Sequence, residues 1–87
     1  MKLKYNFVTN EIADKFVAVA VGDDLSKFNG FIKMDKTGSE IFNLLKEETT
    51  IDTVVAEMSK LYPDVEIAEV KETVEGFIAE LKKSEVI

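Results

Sequence analysis

Acidic side chains are the most abundant reactive groups in this chain: seventeen Asp and Glu stand against eleven Lys, with no His, Cys or Arg among the 87 residues. That inventory excludes thiol nucleophiles, imidazole acid-base chemistry, disulfide staples and Cys/His zinc sites. The carboxylates that sit together, Asp23 with Asp24 and Glu47 with Glu48, are sequence neighbours whose side chains point different ways. They suit neither acid-base work nor a metal. No catalytic centre, metal site or cofactor is therefore expected, and the chain reads as a non-enzyme. What remains is backbone chemistry. Phe31, Ile32, Lys33 and Met34 form a short β-type run, and a strand at a sheet edge carries unpaired N–H and C=O groups that can take up an extended peptide as one more strand. Alternation sends about half of these side chains into a core, so the run has a structural duty as well as a binding capacity.

That run needs elements to hold it. Gly30 to Met34 reads as the third of three strands. Leu3, Tyr5 and Phe7 alternate with polar residues while Val8, Asn10 and Ile12 continue in the opposite phase, which predicts a first strand with a kink or bulge near Phe7. Ala13-Asp14-Lys15 is a tight connection into the β-branched run Phe16 to Val21, and the two strands make a hairpin ended by Gly22-Asp23-Asp24. Leu25 to Asn29 is then a short loop. Gly22-Asp23-Asp24-Leu25-Ser26 has the composition of the Gly-x-Asp-Ser-Leu motif that holds the modified serine of acyl and peptidyl carriers. Here, however, the order is Asp-Leu-Ser, and a strand precedes it where a carrier has a long helix. A polar loop after a hairpin accounts for it.

Asp35-Lys36-Thr37-Gly38 breaks the third strand, and Thr37 with Glu40 has the S/T-x-x-E spacing of a capping box at a helix start. The first helix, about Gly38 to Lys46, presents Ile41, Phe42, Leu44 and Leu45. A second, capped by Thr50 and running to about Tyr62, carries Ile51, Val54, Val55, Met58 and Leu61 at amphipathic spacing, and Pro63 ends it. The third, about Ile67 to Lys83, places Ile67, Val70, Val74, Phe77, Ile78 and Leu81 on one side. Gly76 inside it costs ~1 kcal/mol relative to Ala, which predicts close packing against a neighbour. Three strands followed by three helices make an α+β domain, single over residues 1–87. Its expected core is Ile41, Leu45, Val54, Val55, Met58, Leu61, Val74, Phe77 and Leu81.

A formal charge of −6 without arginine argues against a nucleic-acid partner, since phosphate binding draws on positive charge and base readout favours the Arg fork. The glutamates between Glu66 and Glu85 read first as a solvated helix face, and second as an attraction for lysines of a bound peptide or a basic patch on an enzyme. The polar, charged start of the chain and the lack of any run near ~18 apolar residues predict a cytoplasmic protein without a membrane partner.

Phe28-Asn29-Gly30, the apolar strand after it, Thr37-Gly38 with the apolar helix to Leu45, the Thr50-Ile51-Asp52 helix start, and the stretches Val19 to Gly22 and Phe77 to Leu81 together resemble the PqqD family. The likeness covers nearly the whole chain, from Phe7 to Ile87. Asp35 stands where that family often has Asn, and Asp can serve the same turn and cap roles. The resemblance implies a winged helix-turn-helix-like fold with a three-stranded antiparallel sheet followed by three helices. It also implies a non-catalytic peptide chaperone, a RiPP recognition element, that binds the leader segment of a ribosomally synthesised precursor peptide and presents it to a modifying enzyme, expected to be a radical SAM protein. The leader would lie antiparallel beside the third strand, on Phe31, Ile32, Lys33 and Met34, with Lys71, Val74, Glu75 and Ile78 of the third helix as the other wall. The alternative is an acidic winged-helix interaction or regulatory module with no leader-peptide ligand.

Overall fold

The tight connection at Ala13-Asp14 sets the register of the whole sheet. β1 (Phe7–Ile12) and β2 (Lys15–Ala20) pair antiparallel with Ile12 opposite Lys15, so only two residues make the turn. Ala13 has φ 56°, the positive φ that a primed hairpin turn asks of its first central residue. β3 (Phe31–Met34) pairs antiparallel with β2, Phe31 opposite Val19 and Met34 opposite Phe16. The strand order β1-β2-β3 leaves β1 and β3 as the two edges. The structure is a computed structural model that describes residues 1–28 and 30–87. Asn29, which belongs to the Phe-Asn-Gly sequence and ends the expected Leu25 to Asn29 loop, lies outside the described residues.

The bulge expected near Phe7 is absent, because the pairing runs one to one from Phe7 opposite Ala20 to the end of the hairpin. The change of phase marks a change of element instead. Residues 1–6 leave the sheet and cross the helix ends, where the Leu3 N–H donates to the Leu45 carbonyl at 2.9 Å and the Lys4 N–H to the Val86 carbonyl at 2.8 Å. The first bond supplies a partner for a carbonyl at a helix end, which the helix itself leaves unsatisfied, and the second ties the chain start to the segment beyond the last helix. Gly22–Ser26 is a 3₁₀ turn rather than an open loop. The Asp24 carboxylate accepts the Asn6 backbone N–H at 2.7 Å and the Ser26 hydroxyl donates to the Asp23 carbonyl at 3.1 Å, so these polar groups serve local structure.

Three helices follow: α1 (Lys36–Leu44), α2 (Ile51–Leu61) and α3 (Ile67–Lys83). Thr50 caps α2 by accepting the Thr53 N–H at 3.2 Å. The expected Thr37/Glu40 capping box does not form. Asp35 is the N-cap of α1 and accepts the Gly38 N–H at 2.8 Å, which puts Thr37 inside the first turn, too late to cap it. The two side chains turn to Tyr62 at the end of α2: its hydroxyl donates to the Glu40 carboxylate and lies 3.4 Å from the Thr37 hydroxyl. The pair read as a cap thus ties α1 to α2.

One face of the sheet, with Phe7, Ala18, Ala20 and Met34, closes over Ile41, Phe42, Leu45, Val54, Val55, Met58, Val70, Val74, Ile78 and Leu81, and Leu3 and Val86 fill the margin. Leu61, expected in the core, is 55 % exposed. At about 100° per residue it lies only about 20° from the fully buried Val54 around the α2 axis, so its exposure comes from its place as the last residue of α2, past the point where the helix is covered. Phe77 is half-buried at the margin. Ile67, at the open start of α3, is 65 % exposed. Gly76 also departs from expectation, because a Cβ there would meet nothing within 4 Å. The close approach is at Gly38, where an added Cβ would come within 3.0 Å of the Phe77 ring and 3.2 Å of the Met34 Cβ. No helix of the described residues is long and apolar enough to cross a membrane.

The end of α3 yields a prediction. The Val86 N–H bonds the Leu81 carbonyl at 3.2 Å and the Glu85 N–H the Lys82 carbonyl at 3.1 Å, the two bonds of a Schellman motif with Leu81 and Val86 in apolar contact with the same core. The residue that must turn left-handed is Glu85, at φ 60°, where glycine carries no Cβ penalty. Glu85→Gly is expected to stabilise the domain by about 0.5–1 kcal/mol, raising the thermal midpoint by a few degrees in a calorimetric scan.

Candidate functional site

The direction of each backbone group in β3 follows from the register. The Val21 N–H donates to the Asn6 carbonyl at 3.0 Å, so in the β1/β2 ladder the residues Lys15, Val17, Val19 and Val21 aim their N–H and C=O at β1. Antiparallel pairs alternate, hence Phe16 and Ala18 aim at β3, opposite Met34 and Ile32. Ile32 and Met34 are thereby committed to the ladder. Phe31 and Lys33 turn their N–H and C=O groups outward, to the open edge. The side chains divide the same way: Met34 is buried and Ile32 half-buried on the core face, whereas Lys33 and Phe31, the latter 64 % exposed, stand on the outer face. There Phe31 completes an apolar row with Val19 and Val8.

At the end of β3, where Asp35 follows Met34, begins a trough of two adjoining hollows. Both are lined by Asp35, Thr37, Ile41, Glu69 and Thr73; one extends to Tyr62 and Val65, the other along Gly38, Glu72, Gly76, Phe77 and Glu80. Its walls are the start of α1, just after β3, and one face of α3. Phe77 rests where α1 passes closest, against Gly38, and gives the trough an apolar floor. Among the described residues no group of three or more carboxylates is gathered tightly enough to hold a metal ion.

The residues anticipated from sequence separate accordingly. Phe31, Ile32, Lys33 and Met34 are the edge strand itself. Val74 and Ile78 are buried in the core, and Val74 also lines the inner hollow of the trough. Lys71 lines the crevice between α2 and α3 with Asp52 and Val55, and Glu75, four residues on and exposed, shares its side of the helix. The face of α3 that meets the trough comprises, with Val74, the residues Glu69, Val70, Glu72, Thr73, Gly76, Phe77 and Glu80. Thr73 and Phe77 were missed as wall residues. Their signal is weak but present, since both flank the apolar arc of α3 on the side opposite Lys71.

Comparison with known proteins gives three findings. The family model described as Coenzyme PQQ synthesis protein D (PqqD) matches residues 10–87. A search of curated proteins finds no match. A solved structure described as "TbiB1 in Complex with the TbiA(beta) Leader Peptide" superposes with a TM-score of 0.74 at 23% sequence identity, covering 99% of this chain and 93% of that one. That likeness shows the same fold, three antiparallel strands followed by three helices.

Proposed function

This chain belongs to the PqqD family, and from that premise we propose that it is a non-catalytic peptide chaperone, one domain that binds the leader of a ribosomally made precursor by strand addition and presents it to a modifying enzyme of the radical SAM class. The observation that carries this reading is the outward pair of backbone groups at Phe31 and Lys33 on an edge strand with a trough beside it. An added strand takes affinity from main-chain hydrogen bonds and specificity from alternate side chains. The β3 edge supplies the first, and the trough and Phe31 supply surfaces for the second. The structural relative, whose description names a leader peptide bound to TbiB1, supports the same assignment. A chain without His, Cys or Arg is in keeping with a carrier of substrate rather than a catalyst of its modification.

Calorimetric titration with leader peptides of candidate precursors, alone and with a radical SAM enzyme encoded alongside them, tests the proposal. Binding of the leader and formation of a ternary complex are expected; an enzyme that binds the leader unaided and ignores this protein would contradict the presenting role. Phe31→Ala gives a sharper readout. Because the ring is mostly exposed, the variant should keep its stability within ~0.5 kcal/mol yet bind the leader about fivefold more weakly, the loss of one cross-strand aromatic partner worth ~1 kcal/mol.

A further inference from the structure

The trough beside β3 carries charge of one sign. Asp35, Glu69, Glu72 and Glu80 line it and no lysine does; the ion pair that reaches into this set is Lys83 with Glu80, at 3.8 Å between two well-exposed side chains. These acids are spread out and not gathered around one point, an arrangement that reads charges along a chain rather than a single ion. From Glu69 to Glu80 the helix rises about 16 Å, and three same-face positions of a strand, i, i+2 and i+4, cover about 13 Å. The outer face of the same edge is apolar at Phe31, next to Val19 and Val8.

We propose that the peptide segment held at this edge alternates in character, with two or three basic side chains facing the trough and an apolar side chain on the outer face beside Phe31. This rests on the strand-addition reading and names the class of leader that the site selects. Basic side chains find four carboxylates across the trough, while their methylene stems cover Phe77. An acidic segment in the same place meets like charge at every trough-facing position. Each exposed charge pair is modest on its own, but three such positions together separate the two peptides by roughly tenfold or more in affinity. The outward valine or aromatic residue extends the Val8, Val19, Phe31 row by one cross-strand neighbour.

Two synthetic decapeptides test this, one alternating Lys with Val and the other Glu with Val, each titrated into isotope-labelled protein and followed by amide chemical shifts. The Lys-Val peptide is expected to move the amides of Phe31, Lys33, Thr73 and Phe77 and to bind at least tenfold more tightly than its Glu-Val counterpart, with the gap shrinking in about 0.5 M salt. Glu72→Lys combined with Glu80→Lys, both exposed, should erase that preference. The milder Glu72→Gln with Glu80→Gln should reduce it without risk to the helix. Equal affinities, with the β3 amides still moving, overturn the basic-peptide inference and leave strand addition intact. Absence of shifts from both peptides overturns the inference, and shifts on α3 with Phe31 and Lys33 silent overturn both.

Discussion

Proline at Lys33 weakens leader binding by about 30-fold or more while the domain stays folded, and proline at Ile32, one residue away, damages the fold itself. The contrast follows from the alternation of the β2/β3 ladder. The Lys33 N–H points to the open edge, where proline is tolerated, but its loss removes a hydrogen bond to the incoming strand and leaves the ligand's carbonyl without a donor. Those two effects together amount to about 2 kcal/mol. The Ile32 N–H points inward to Ala18, a fully buried residue opposite it. Proline there strands the Ala18 carbonyl in the core, a cost of about 1–3 kcal/mol before any clash of the ring with β2. Far-ultraviolet circular dichroism and urea melts on both variants, with calorimetry on the folded one, check the pair. Loss of fold at Lys33 with a folded Ile32 variant would reverse the phase of the ladder, and equal loss in both would remove the distinction between inward and outward positions.

Phe42→Ala is expected to lower stability by about 3–5 kcal/mol, against a total of about 4–13 kcal/mol for a chain of this length. Phe42 is fully buried and meets the ring of Phe7 edge-on at 5.3 Å, while Phe7 meets Phe28 at 5.4 Å. This aromatic chain joins α1, the start of β1 and the segment leading to β3. The sheet and its β3 edge therefore lean on it, and truncation loses both the buried ring and the edge-to-face contacts. Urea denaturation should show a much lower midpoint with little change in slope.

Most of the fold was legible because its signals are local. The Asp14 turn, the β-branched run of β2, the Thr50 cap and the apolar period of α3 each declare an element within a few residues, and their order declares the class. The errors have tertiary causes. Thr37 and Glu40 have capping-box spacing, but Asp35 captures the helix start first and Tyr62, twenty-two residues beyond Glu40, claims the freed side chains. The left-handed turn at Glu85 carries no glycine to announce it. At the candidate site, the strand from Phe31 to Met34 was legible and Val74 does line the trough, whereas the flank of α3 that carries Thr73 and Phe77 was not. Periodicity gives the buried arc, Val70, Val74, Ile78 and Leu81, but both flanks of that arc look alike in sequence. Only the docking of α3 on Gly38 through Phe77 decides that the Thr73 flank, and not the Lys71 flank, faces β3.

The most direct test of strand addition at β3 is amide chemical-shift mapping of this protein with its cognate leader. Under strand addition the amides of Phe31 and Lys33, whose N–H groups face the edge, move most, together with Thr73 and Phe77 across the trough, while the outer turns of α2 stay put. Perturbations confined to β1 or α2, with Phe31 and Lys33 unmoved at saturating leader, would contradict it.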